Sequence, residues 1–372
     1  MLRTRSLTNR RNSRPTTSLF VVASQERPKL QNRRLPLELI ENIISEVLPN
    51  DRSDARTVFS AIASVTLAST TLRSIALKIF LRRICIQDAA CYTSIFEMIS
   101  MYQVRNPDSD GFGLIRAMTI GDTHVSPVNV IEGSTGLNNL FRLQDLSLCF
   151  YKEGFRTQNI VSNRILPAFA STTLSILTID MLPRIDLALL SLISTCFPGL
   201  KNLSLDVTKR LYYNYCRVEC DCWSCFLSLF DDLLHSPVPH VYGNVSLLAE
   251  AYGNSLTPLD QLTQLQLGIF ISDETMIYEH AEAHRDMDIL PRHIATGPSA
   301  CSRCNEMLAS VRANEVLAST IMFKKLTSLQ RMSWSSFFQR AGNRTDQGQQ
   351  EGDLFYPVVF ESDRAEKLLK VL

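Results

Sequence analysis

The feature that most constrains this chain is a short apolar pattern that returns seven times. Each copy is an apolar residue, two others, an apolar residue, one other and a third apolar residue. Leu81, Ile84 and Ile86 form the first set, followed by Ile115, Met118 and Ile120, then Leu143, Leu146 and Leu148. Leu174, Leu177 and Ile179 come next, then Leu200, Leu203 and Leu205, and Leu262, Leu265 and Leu267. Leu326, Leu329 and Met332 read as a weaker last copy. The final two apolar residues of a set are two apart. That is the period of a β-strand, whose alternate side chains share a face while the intervening one points the other way. Successive sets start 34, 28, 31, 26, 62 and 64 residues apart.

One unit reads in full between Leu174 and Leu205. Leu174 to Asp180 is a strand. Pro183 and Asp186 open a helix that carries Leu187, Leu190, Ile193 and Phe197 on one face. Pro198-Gly199 ends it, and Leu200 starts the next strand. Strand, helix and strand with short loops form a right-handed parallel crossover. The pattern resembles leucine-rich repeats, in which such units stack into a curved solenoid. The two long intervals are about two units each, so each has room for a degenerate or expanded repeat. The fold class expected is α/β: a small N-terminal helical module over 35–80, then an irregular leucine-rich solenoid with parallel strands over 81–340. A Cys-containing insertion is expected at about 206–260. The stretch 341–372 reads as a loop followed by a cap, with a last strand at Phe355–Phe360 and a short helix at Glu361–Leu372.

The helical module begins at Leu35-Pro36. Pro at the start of a helix is tolerated because its missing N–H has no partner there and its φ is pre-set. Ile40, Ile43, Ile44, Val47 and Leu48 are expected on one face at helical spacing, with Glu38, Glu41, Asn42, Ser45 and Glu46 filling the other. Val58, Phe59, Ile62 and Val65 make a second helical stripe, and Leu67 to Ala76 a third segment. Together these resemble an F-box, the helical module that docks proteins onto cullin-type ubiquitin ligases. Thr70 stands where that family usually has Lys or Arg, and Leu72 where it usually has Trp or Phe.

F-box followed by irregular leucine-rich repeats is the arrangement of the F-box/leucine-rich repeat proteins, and that resemblance carries several implications. The chain would be a non-enzymatic substrate-recognition subunit of an SCF-type (cullin–RING) ubiquitin ligase. Leu35, Pro36, Leu39, Ile40, Ile43, Leu72 and Ile75 would bind a Skp-type adaptor. The residues between the leucines, Arg83, Gln87, Thr119, Ser147, Thr178, Ser204 and Gln266, would face a client protein whose identity the sequence does not give. A leucine-rich scaffold without a ligase role is the alternative, and a metal-dependent protein a third reading.

Composition bounds these readings. The 372 residues are 45% hydrophobic and 20% charged, which suits a folded chain with ample core. A formal net charge of +1 argues against a dedicated nucleic-acid binder. The longest apolar run, Leu187 to Phe197, is interrupted by Ser191, Ser194 and Thr195, so no membrane span is expected. Residues 1–34 hold nine Lys or Arg and one acid, Glu26, and read as a solvated, disordered basic tail with no secretory core. A cytoplasmic or nuclear protein follows, with its ten cysteines reduced.

Cys216, Cys220, Cys222 and Cys225 cluster within ten residues, and Cys301 and Cys304 form a second Cys-x2-Cys. Cys222, Cys225, Cys301 and Cys304 could close one tetrahedral structural zinc site. The plainer reading is a set of unrelated reduced thiols and no cofactor. His280 and His284 share a helical face, but Glu282 lies two residues past the first His, so the zinc-protease order is not met. Gly111-Phe112-Gly113 lacks the third glycine of a dinucleotide loop and reads as a turn before a strand.

Overall fold

The computed structural model describes residues 35–48, 55–105, 110–121, 125–131, 137–207, 244–271, 302–336, 356–363 and 368–371. Three helices come first: α1 (Leu37–Val47), α2 (Ala55–Ala68) and α3 (Thr70–Arg82). Ser69 caps α3, its side chain accepting from Leu72 N at 3.1 Å, which satisfies one of the unpaired first-turn amides.

α3 runs straight into β1 (Arg83–Ile86), the first strand of an open sheet that has nine strands among the described residues. The others are β2 (Ala117–Ile120), β3 (Asp145–Cys149), β4 (Ile176–Asp180), β5 (Asn202–Asp206), β6 (Gln264–Phe270), β7 (Arg331–Ser336), β8 (Tyr356–Asp363) and β9 (Leu368–Val371). Spatial order equals chain order, and β1 to β7 are all parallel. Parallel neighbours need a return connection, and helices supply it: α4 (Ala89–Arg105), α5 (Pro127–Ile131), α6 (Phe155–Ile165), α7 (Leu187–Cys196), α8 (Val245–Leu256) and α9 (Ser302–Lys325). They pack one on the next in this order. Asp186 caps α7 through Leu189 N at 2.9 Å, and Asn244 caps α8 through Leu247 N at 2.9 Å.

The recurring leucines form the core between sheet and helices. Leu146, Leu148, Leu177, Ile179, Leu203, Leu205, Leu265 and Leu267 are all buried, and each pair lies level with the next across the ladder. The first member of each set, such as Leu143, Leu174 and Leu200, is buried just ahead of its strand. The core continues into the N-terminal helices through Ile62, Ile75, Ala76, Phe80 and Leu81. α2 and α3 pack against β1 and so cover an edge that would otherwise offer unpaired backbone groups.

Two expectations are corrected, and a third falls outside the described residues. The last copy of the pattern is Leu329, Met332 and Trp334, because Met332 pairs with Leu265 and Trp334 with Leu267. An indole takes the leucine position there, and its Nε1–H donates to Ser319 Oγ at 2.8 Å, so its polar atom is satisfied. Across the two long intervals β5 pairs directly with β6, and β6 with β7, so among the described residues no strand lies between them. Residues 208–243 and 272–301, where the additional length lies, are outside the described residues. The expected C-terminal helix is instead a strand: Leu368–Val371 pairs antiparallel with β8, as β8 does with β7. Four residues link β8 to β9, far too few for a parallel crossover, so a hairpin return is the geometry available. The expected loop at 341–352 and the basic tail at 1–34 lie outside the described residues.

One close approach makes a sharp prediction. Gly268 lies beside Asp206 in the adjacent strand, and a Cβ there would stand 2.4 Å from Asp206 Oδ1 and 2.8 Å from its Cα. Gly268→Ala should therefore force the β5–β6 backbones apart and cost about 1–3 kcal/mol. A lowered urea midpoint would register it; an unchanged midpoint would mean the two strands are farther apart than described.

Candidate functional site

Two surfaces concentrate the residues singled out in the sequence: the outer side of α1 and the open face of the sheet.

Pro36 starts α1, its carbonyl accepting from Leu39 N at 3.1 Å and Ile40 N at 3.3 Å. The apolar residues of this helix divide into two stripes. Ile44 is buried, and Ile40 and Leu48, four residues either side, are half-buried against the core. The neighbouring stripe faces solvent: Leu39, Ile43 and Val47 are 48%, 55% and 56% exposed. Leu35 and Pro36, just ahead of the helix, are exposed too. A helix of eleven residues that keeps three large aliphatics exposed at i, i+4 and i+8 carries a surface that no packing among the described residues uses.

This sorts the seven expected docking residues. Leu35, Pro36, Leu39 and Ile43 lie exposed on or just ahead of α1. Ile75 is buried in α3 at 6% exposure, and Ile40 packs inward, so neither is presented as expected. The reason is that α1 must pack on α3 before it can present anything, and its inward stripe uses Ile40. Leu72 is half-buried.

On the open sheet face, register aligns Cys85, Thr119, Ser147, Thr178, Ser204, Gln266 and Ser333 in one row across seven strands. Thr119, Ser147, Thr178 and Ser204 are half-buried and Gln266 is exposed. The row is neutral and mostly hydroxyl-bearing. Arg83 belongs one row nearer the strand starts, level with Ala117, Asp145, Ile176, Asn202, Gln264 and Arg331. The register partner of Thr119 is Cys85, which the sequence reading passed over although it sits between Ile84 and Ile86. Gln87 follows β1 directly.

The expected zinc ligands Cys222, Cys225 and Cys301 lie outside the described residues. Cys304 falls in the first turn of α9, and its side chain is likewise outside them. His280, Glu282 and His284 are outside as well. Among the described residues no three or more His, Cys, Asp or Glu side chains are grouped to hold a metal. Burial pushes the Cys196 thiol up, which keeps it protonated and a poor nucleophile at neutral pH. The Gly111–Gly113 stretch enters a 3-10 turn, Phe112–Leu114, before β2, with Gly113 N donating to Asp110 Oδ1 at 2.9 Å. Among the described residues no helix is long and apolar enough to cross a membrane.

Comparison of the chain with protein-family models, with curated proteins and with solved structures found no match.

Proposed function

We propose that this protein is a substrate-recognition subunit of an SCF-type ubiquitin ligase, with α1 to α3 acting as an F-box and the sheet region as a leucine-rich solenoid. The observation that carries the reading is the solvent-facing stripe Leu39, Ile43 and Val47, with Leu35 and Pro36 ahead of it. Docking of a Skp-type adaptor would bury these side chains, and interfaces of lasting complexes are apolar in this way. The same helix keeps Ile40 and Ile44 for its own packing, so docking requires no rearrangement of the core. The open sheet face, lined by Thr119, Ser147, Thr178, Ser204 and Gln266, would then remain available to a client. In this role the protein performs no chemistry; it brings a client and a ubiquitin-transfer machine together.

A second reading is a solenoid scaffold that no longer engages the adaptor. The half-buried Leu72, standing where the family it resembles usually has Trp or Phe, favours it. Co-purification of the full chain with a recombinant Skp-type adaptor separates the two. A one-to-one complex on gel filtration is expected; two separate peaks from a well-folded chain would leave only the scaffold.

A further inference from the structure

A groove of about 1030 Å³ runs between the N-terminal helices and the open face of the sheet. That is the upper end of the size of small-molecule sites. One wall is apolar: Leu48, Val58 and Ile79, all half-buried, come from the end of α1, from α2 and from α3. The opposite wall is the row Arg83, Ala117, Asp145 and Ile176 of four successive strands. Arg82 and Arg116 stand at the strand starts, joined through Arg116 N donating to Arg82 O at 3.0 Å.

Charge decides what such a groove would hold. Arg82, Arg83 and Arg116 line the groove together with Glu46 and Asp145. Arg82 and Arg83 are exposed. Arg116 donates one N–H to Arg142 O at 3.2 Å, which holds the guanidinium in place while leaving it further donors. The lining is thus cationic by one formal charge, with Glu46 on the α1 side beside Leu48 and the other four charged residues at or beside the strand starts. Strands lie about 4.8 Å apart, so crossing from β1 to β4 takes about 14 Å, the reach of about four to five extended residues.

We propose that this groove is a docking site for an extended acidic segment of a partner protein, whose carboxylates meet Arg82 and Arg83 while its apolar side chains lie against Leu48, Val58 and Ile79. Guanidiniums match carboxylates with paired N–H donors. The groove is formed by other residues than the outer stripe of α1, so it can be occupied whether or not an adaptor is bound there.

The test is selection of a displayed random decapeptide library on the full chain, followed by synthesis of the leading peptide. Enrichment of Asp and Glu between apolar residues is expected. Its affinity should fall at least tenfold in Arg82→Glu/Arg83→Glu and hold in Lys201→Glu/Arg331→Glu, which changes net charge equally but lies farther along the sheet. Weakening of wild-type binding by added salt supplies a readout independent of any variant's folding. Selected peptides without acids, binding indifferent to salt, equal losses in both double variants, or no peptide selected at all would each overturn the proposal. Adaptor co-purification of the same variants keeps this outcome distinct from the ligase reading.

Discussion

The double substitution Leu39→Asp, Ile43→Asp is expected to abolish association with a Skp-type adaptor while leaving the protein folded. Both side chains are about half exposed, so neither substitution opens a cavity. The cost to α1 is one of helix propensity, at most about 0.7 kcal/mol per residue. At an interface the same change is far larger. Burying a Leu or Ile side chain contributes about 1.5–3 kcal/mol, and a carboxylate in its place must be desolvated without a partner. Two such positions together exceed about 4 kcal/mol, a loss of at least about a thousandfold in affinity. Ile44→Asp is the informative companion. Ile44 is 5% exposed, so its replacement should unfold the helical module and lose both structure and binding. Circular dichroism beside adaptor pull-down separates the two effects. If Leu39→Asp, Ile43→Asp binds as wild type does, the stripe is not the docking surface.

The second large effect concerns adjacent residues on opposite faces of β5. Leu205 is fully buried at a central strand, level with Ile179 of β4 and Leu267 of β6. Leu205→Ala should cost about 2–5 kcal/mol, from lost transfer energy and the cavity left behind. Ser204, one residue earlier, lies on the open face and is half-buried. Ser204→Ala should change stability by less than about 0.5 kcal/mol. Urea unfolding with a shared slope would show the contrast as a large shift in midpoint for one variant and almost none for the other. Comparable shifts would mean the strand is buried on both faces, and that the row from Thr119 to Gln266 is not a surface at all.

Much of the sheet was legible because its physics is local. The period of two at Leu146/Leu148, Leu177/Ile179 and Leu203/Leu205 exists only because one face of each strand is buried, and burial selects aliphatics. The register of the hydroxyl row followed from the same phase. Trp334 was not legible in that way, since an indole fills a leucine position only when a partner such as Ser319 takes its N–H, and Ser319 is fifteen residues away in another element. The division of α1 was equally hidden. Ile40 and Ile43 are both apolar and three residues apart, and only the packing of α1 on α3 decides which is inside. Length alone does not distinguish an added repeat from a longer connection, and the additional length of the two long intervals lies outside the described residues. The pairing of β9 with β8 depends on a contact that four strand residues, Leu368 to Val371, cannot announce by themselves. The groove beside Arg82 and Arg83 arises from helices and strands far apart in the chain, so no local pattern marks it.

The most direct test of the account is hydrogen exchange of the full chain alone and with a saturating Skp-type adaptor. Slowed exchange confined to Leu35–Leu48 and the helices packed on it, with the strands that carry Thr119, Ser147, Thr178 and Ser204 unchanged, is the predicted result. Protection of those strands with none at α1 would contradict it, because the adaptor would then occupy the face assigned to the client.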